Sequence, residues 1–362
     1  MKIGIVGLPQ SGKTTLYNAL TGQQVSTTAY SGGKEDAHHA VIKVPDERLE
    51  QLNNVFAPQK KVPATIEYID LAGIHPDQQK KQGFSDHFLG QLRLVDAILI
   101  VLRSFENPNV AHPLGSLDPN RDLDIILSEF IISDMSIIEN RLDRLERQMR
   151  VKKNDPDIKE HTLLQGLLKE LEEEILLRNA TLTVDEEHLI RGYQFLTQKP
   201  LILVLNIDEN QLTDDTTVSK NLKGSQEKNT AVLTIAAQIE MEIQQLEGEE
   251  AELFRKDLGI KDSAMEKLVR ISYDLLGLIS FFTVGEDEVR AWTVPDNTKA
   301  PLAAGTIHSD FEKGFIRAEV VHYDDFIERK SLAKCKSDGV MRLEGRDYTV
   351  KDGDIITFRF AV

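Results

Sequence analysis

The chain has 362 residues, 59 of them Asp or Glu against 43 Lys or Arg, for a formal net charge of −16. That length predicts two or three domains with a real apolar core, and the acidity excludes a protein that coats nucleic acid nonspecifically. A single cysteine, Cys335, excludes an intrachain disulfide and a zinc site made of several thiolates.

The first stretch carries the strongest signal. Lys2 to Val6 reads as a buried strand and runs straight into Gly7-Leu8-Pro9-Gln10-Ser11-Gly12-Lys13-Thr14, which fits G-x-x-x-x-G-K-[ST] at every fixed position. A helical pattern follows from Thr15 to Thr21, with Gly22 placed to stop it. Strand, loop and helix together predict a nucleoside triphosphate site. Its phosphates are cradled by backbone N–H groups and a helix N-terminus, across Gln10, Ser11, Gly12, Lys13, Thr14 and Thr15. Lys13 is expected to reach the β- and γ-phosphates, and the Thr14 hydroxyl to ligate Mg²⁺. The first strand starts at residue 2, which predicts no signal peptide. The longest apolar run, Ala97 to Leu102, is too short to span a bilayer, so a soluble cytoplasmic protein with no membrane partner is expected.

Residues 23–40 are polar and aperiodic, and neither Thr27 nor Thr28 is singled out as a further Mg²⁺ ligand. Val41 to Val44 resumes as strand, and Pro45 to Leu49 opens a short helix with proline at its start. Thr65 to Asp70 alternates as a strand and delivers Asp70-Leu71-Ala72-Gly73, a D-x-x-G in the right order after a phosphate loop. Asp70 is therefore expected to face Mg²⁺, and Gly73 to give its N–H to the γ-phosphate. The following residue is Ile74, which cannot hold a water where Ras-type proteins use glutamine.

Ala97 to Arg103 reads as a central parallel strand covered on both faces. From Asp122 the pattern is helical for about seventy residues, by the spacing of apolar positions. Ile138, Leu142, Leu145 and Met149 on one arm, and Leu164, Leu168, Leu171 and Ile175 on the other, predict an antiparallel hairpin over about 122–196. A structural arm and a docking arm are both open readings. Leu201 to Leu205 is another buried strand ending in Asn206-Ile207-Asp208-Glu209. A guanine clamp reads N-K-x-D. Here Ile207 stands for the lysine and Glu209 for the aspartate, so adenine is the favoured base. Ala231 to Ile235 is a further strand, leading to Ala237 and Gln238 near the base. Strands alternating with helices behind a phosphate loop predict a mostly parallel α/β sheet. Residues 278–362 change character to short strands with turn signals, a small mixed α+β domain set apart from a nucleotide-binding domain over 1–277.

These residues resemble the YchF/Obg-like ATPases, a branch of the translation-factor class of P-loop NTPases. The likeness covers nearly the whole chain and is densest over Phe281 to Thr293, Ala304 to Val320 and Asp352 to Ile355. It implies an Obg/Ras-like P-loop domain interrupted by the hairpin and followed by a β-grasp TGS domain. It also implies ATP with Mg²⁺, and a monomer that docks on the ribosome through the hairpin and TGS surfaces without sequence-specific DNA binding. Asn206 and Glu209 match the family's N-x-x-E. Three departures stand out: Gln10-Ser11 replaces Asn-Val, Lys34 sits where the first-switch threonine belongs, and residues 75–83 lack the family's glycines. His112, at a position where the family tends to carry histidine, and His75, after Ile74, are the candidates to orient water, with a hydrogen-bonded loop histidine as the other reading of His112. A slow ATPase switch is the main expectation. A nucleotide-gated binding module with negligible hydrolysis and a GTP-specific GTPase are the alternatives.

Overall fold

The computed structural model describes residues 1–22, 38–71, 83–152, 154–214, 222–224, 226–246, 248–260 and 262–361. In chain order the first elements are β1 (Lys2–Val6), α1 (Lys13–Thr21), β2 (His38–Lys43), α2 (Glu47–Phe56), β3 (Lys60–Val62) and β4 (Thr65–Asp70). Next come α3 (Asp86–Arg93), β5 (Ala97–Ser104), α4 (Pro119–Val151), α5 (Asp155–Glu172), α6 (Val184–Ile190), β6 (Leu201–Ile207) and β7 (Thr230–Ile235). The last strands are β8 (Leu278–Val284), β9 (Glu288–Pro295), β10 (Phe315–His322), β11 (Arg342–Glu344) and β12 (Asp354–Phe360). Among the described residues no helix is long and apolar enough to cross a membrane.

The chain divides into two compact units, Met1–Ala40 with Glu67–Met265, and Val41–Ile66 with Glu266–Val362. The first is built on a sheet of order β2-β4-β1-β5-β6-β7. Its pairs β1–β4, β1–β5, β5–β6 and β6–β7 are all parallel. β1 has a later strand on each side, so the loop after it emerges where the winding reverses, the crevice in which α/β sheets bind ligands. Every residue of β5 and β6 is buried, as continuous apolar runs require when both faces are covered.

One helix serves two cores. The first turns of α4 lay Leu123, Ile126 and Phe130 on the sheet. The same helix, 33 residues and roughly 50 Å long, continues outward to pack Ile138, Leu142 and Leu145 against α5. The matching stripe on α5 is Leu164, Leu167 and Leu171, with Leu168 only partly buried. Ile175 lies beyond the end of α5 and is 40% exposed. The expected set Leu164, Leu168, Leu171 and Ile175 is therefore corrected to a 3-4 stripe, since over about two turns positions three or four apart fall on the same face. Arg141 and Glu160 join the two arms bidentately at 2.9 and 2.7 Å, and the Tyr193 hydroxyl also donates to Glu160.

The second unit holds a sheet of order β11-β10-β12-β8-β9-β3. β8–β9, β10–β12 and β10–β11 are antiparallel, whereas the outermost strands in sequence, β8 and β12, pair in parallel. Helix Ala300–Ile307 lays Ala300, Ala303 and Ala304 against Phe281, Val294, Val320 and Ile356 on one face. That is a β-grasp arrangement. The segment Val41–Ile66 belongs to this unit, against the expectation of a single boundary between residues 277 and 278. Three contacts bind it there. β3 pairs with β9, Phe56 stacks on Phe326 at 5.3 Å, and Arg48 donates to Asp352 at 2.6 Å while lying over the Phe282 ring. α2 begins at Glu47 and not at Pro45, and Asp46 caps it, accepting from the Arg48 N–H at 3.0 Å.

The anchor of the hairpin is a buried carboxylate. Asp134 on α4 is fully buried and accepts from Arg93 Nη1 at 2.7 Å, the Leu196 and Thr197 N–H groups at 3.1 and 2.8 Å, and the Thr197 hydroxyl at 2.8 Å. Asp134→Ala strands all four donors. It is expected to cost about 3–5 kcal/mol in a urea unfolding midpoint measurement, with Asp134→Asn costing less because its amide oxygen still accepts.

Candidate functional site

The loop Gly7–Thr14 is shaped by two positions that tolerate no side chain. A Cβ on Gly7 would lie 2.5 Å from the Val101 carbonyl oxygen, and one on Gly12 would collide with Asn206 Nδ2. Gly12 also holds φ at +95°, the left-handed region that glycine enters without cost. Gln10 sits there too, at φ 63°, exposed at the crest of the loop. α1 begins at Lys13 with no side-chain cap and no acidic residue in its first turn. Its leading N–H groups and positive dipole end are left for an anion. Thr14 and Thr15 sit half-buried in that turn.

Lys13 folds back over the loop, Nζ donating to the Gly7 and Leu8 carbonyls at 3.0 and 2.9 Å. Burial pulls its ammonium down to about 8, with Asp70 opposing the fall. Asp70 ends β4, in register with Ile5 on β1, and is buried. Burial pushes its carboxyl upward, against Lys13, His38 and a hydrogen bond from Thr14. A hydroxyl and a carboxylate side by side are the hard oxygen donors that Mg²⁺ takes beside phosphate oxygens. Among the described residues no group of three or more His, Cys, Asp or Glu side chains could hold a metal alone. Ser11 is buried, and its Oγ has no hydrogen-bond partner, an orphan donor under the crest of the phosphate loop.

Asn206, near the end of β6, ties two segments together through its amide. Nδ2 donates to the Ser11 carbonyl at 3.0 Å, and Oδ1 accepts from the Ala237 N–H at 3.1 Å. Its observed role is to bring the phosphate loop and the segment after β7 together. Ala237 is buried with its N–H spent on this bond. Ile207 is a core residue, 4% exposed, so its side chain is packed away. Glu209 is exposed at the start of a short 3₁₀ turn, and Gln238 is exposed and donates to Glu242 at 2.7 Å.

His112 is tied on both sides of its ring. Nε2 donates to Asp122 at 2.9 Å, and Nδ1 accepts the Leu114 N–H at 3.2 Å. With the imidazole 7% exposed, this arrangement holds the loop after β5 against α4 and presents no free ring nitrogen. Gly73, His75, Ile74, Thr27, Thr28 and Lys34 lie outside the described residues.

One residue of this site went unread in the sequence. Phe105 follows β5, and its Cε1 would lie 3.9 Å from a Cβ on Gly12. Arg103 supports it from below. The guanidinium lies 4.6 Å from the ring centroid and donates to the Phe105 and Val110 carbonyls at 3.1 and 2.8 Å. The only sequence signal was an arginine ending an otherwise apolar strand.

Comparison with known proteins agrees with this geometry. Residues 2–141 match the family described as 50S ribosome-binding GTPase, and residues 278–361 match the C-terminal YchF-GTPase family, described as a protein of unknown function. The chain is 41% identical over 362 residues to the Ribosome-binding ATPase YchF of Bacillus subtilis strain 168, covering 99% of each chain. It is 37% identical to the protein of the same name from Escherichia coli O157:H7, covering 100% of this chain and 99% of that one. The solved structure of the Schizosaccharomyces pombe YchF GTPase superposes with a TM-score of 0.85 at 30% identity, over 99% of this chain and 97% of that one. Phosphate loop, Thr14–Asp70 pair and Asn206 tether thus sit in a scaffold shared from end to end, and the chain belongs to the YchF family of P-loop NTPases.

Proposed function

We propose that this protein is a slow Mg²⁺-dependent ATPase whose nucleotide state governs docking on the ribosome, at work as a monomer in the cytoplasm. The observation that carries the reading is the phosphate cradle, in which Lys13, Thr14 and Asp70 converge beneath an uncapped helix N-terminus. The names of the relatives, ribosome-binding ATPases, support it further. Thr14 and Asp70 would hold Mg²⁺, which supplies charge neutralisation for the phosphate oxygens when bound. Lys13 gives up two carbonyl partners to meet a triphosphate, exchanging weak neutral acceptors for charged ones. Gly73 is assigned to the γ-phosphate.

Base choice follows from what the end of β6 offers. Ile207 is buried, Glu209 replaces the guanine-clamp aspartate, and Asn206 is committed to the protein. The base then lies along Phe105, Ala237 and Gln238, where apolar and backbone contacts suit adenine. A carboxylate one carbon longer than aspartate does not reach guanine's two donors in the same way. In the ATP state the hairpin and the β-grasp unit, which the family resemblance names a TGS domain, carry the ribosome contact.

Three outcomes follow. Calorimetry on the full chain is expected to give tighter binding of ATP than of GTP, and equal affinities would turn the reading to a GTPase. Lys13→Ala is expected to weaken ATP by about a hundredfold while leaving adenosine little changed, because only the phosphates meet the ammonium. Single-turnover hydrolysis is expected below roughly 1 s⁻¹, the low end for enzymes. His112→Ala and His75→Ala, measured in the same assay with and without ribosomes, show whether either ring orders the water. No change in either would leave that task to the backbone or to the ribosome.

A further inference from the structure

We infer that the first unit carries a second oxyanion site, at the edge of its sheet opposite the phosphate loop. The site is a cavity of about 470 Å³ where the hairpin segment rejoins the sheet, lined by His188, Arg191, Gln194, Phe195, Gln198 and Lys199. Lys199 and the neighbouring Pro200 lead into β6, and Lys199 Nζ donates at 2.6 Å to the Val95 carbonyl, just ahead of β5. Both strands run in parallel with β1, so these positions mark the N-terminal edge of the sheet, whereas Gly7–Thr14 follows the C-terminal end of β1. The length of β5, eight residues, separates the two edges by roughly 25 Å.

Two cationic residues, Lys199 and Arg191, line this cavity, and no carboxylate touches either of them among the described residues. Lys199 is only 8% exposed, and its ammonium is held by one carbonyl and, at 3.4 Å, by the Gln194 side-chain oxygen. Among the described residues it makes no ion pair. Neither does the exposed guanidinium of Arg191. Burying an ammonium without a counter-charge is costly, and an entering oxyanion recovers that cost. Burial accordingly draws Lys199 down to about 8, with Asp96 and Asp134 opposing the fall and Arg93 adding to it. Glu187 is the one carboxylate on the lining, and it is exposed.

Gln194 is the pivot. It holds a left-handed φ of 53°, a conformation that costs a non-glycine residue about 1 kcal/mol or more. In that geometry its side-chain oxygen takes Lys199, its amide donates to the Arg191 carbonyl at 2.8 Å, and its own carbonyl takes Arg93 at 3.1 Å. Gln194 thus links the Lys199 ammonium to the backbone at Arg191 on the rim of the cavity. His188 and Gln198 add further polar groups, and Phe195 and Pro200 add an apolar wall. A cavity of this size exceeds a lone phosphate and suits a phosphoryl group carried on a larger body. That body is a small phosphorylated molecule or an RNA backbone, with the same oxyanion chemistry in either.

The test uses the full chain with its phosphate loop saturated by ADP and with Mg²⁺ in excess. Titration with inorganic pyrophosphate, followed by calorimetry, is expected to reveal one further site. Lys199→Gln and Arg191→Gln are each expected to weaken that site about tenfold or more, the worth of a charge-assisted hydrogen bond, with ADP affinity unchanged. Arg191 is exposed, so its variant keeps the test decisive should the Lys199 change disturb folding. Displacement of pyrophosphate by a short single-stranded RNA assigns the site to a nucleic-acid backbone. Pyrophosphate binding that RNA does not displace assigns it to a small phosphorylated ligand. No second site in the wild type, or unchanged pyrophosphate affinity in Arg191→Gln, overturns the inference.

Discussion

The nucleotide site depends on one amide. Asn206 is buried between a donor and an acceptor that belong to segments far apart in the chain, the Ser11 carbonyl and the Ala237 N–H. Each bond alone is worth about 1 kcal/mol, but losing the side chain would leave two backbone groups unsatisfied in the interior. The crowding at Gly12 comes from the same residue, since Asn206 Nδ2 occupies the space a Cβ would need. Phosphate loop, β6 and the start of helix Ala237–Gln244 are thereby held as one body around the crevice. The asparagine is the one guanine-clamp residue that survives in this chain, and its bonds explain why. Its work is to hold loops together, which any base requires.

A second constraint works at the far side of the sheet. Asp134 gathers Arg93, Leu196 and Thr197, so α3, α4 and the segment leading into β6 share a single buried charge. Because α4 passes without interruption from the sheet to the hairpin, the arm has no hinge at its root. Lys199 and Gln194 lie on the same returning segment, next to this anchor. The route from Lys199 along β6 to Asn206 is a fully buried strand. It is a physical path between the two edges of the sheet.

The chain also exchanges material between its units. Residues Val41–Ile66 leave the first unit between β2 and β4 and are built into the second, through β3, α2 and the Arg48–Asp352 pair. Leu49 and Leu52 are buried, and α2 packs against β8 and β9 of the second unit. It starts directly after residues that, in a switch NTPase, border the nucleotide. The two units are therefore covalently joined twice around that border as well as once near residue 265.

Much of this was legible from residues alone. The phosphate loop needs particular residues at particular spacings, and its backbone conformation is local, so Gly7 to Thr14 could be assigned without a fold. Continuous apolar runs gave β5 and β6, and the D-x-x-G placed Asp70. Tertiary structure alone decided what those side chains do to one another. The pattern N-x-x-E pointed Asn206 at a base, and the structure adds that its amide also joins Ser11 to Ala237, partners no spacing could reveal. His112 was open to two readings, a water-orienting ring and a hydrogen-bonded loop histidine, and its bonds to Asp122 and Leu114 show the ring hydrogen-bonded on both nitrogens. Phe105 was one apolar residue in a loop until Arg103 and Gly12 enclosed it. The stretch from Val41 to Ile66 reads as strand and helix in either unit, because amphipathic pattern shows which face is buried and not against what. Local chemistry is written along the chain, but pairings between distant segments are settled by packing, where each buried polar atom takes the partner that geometry leaves it.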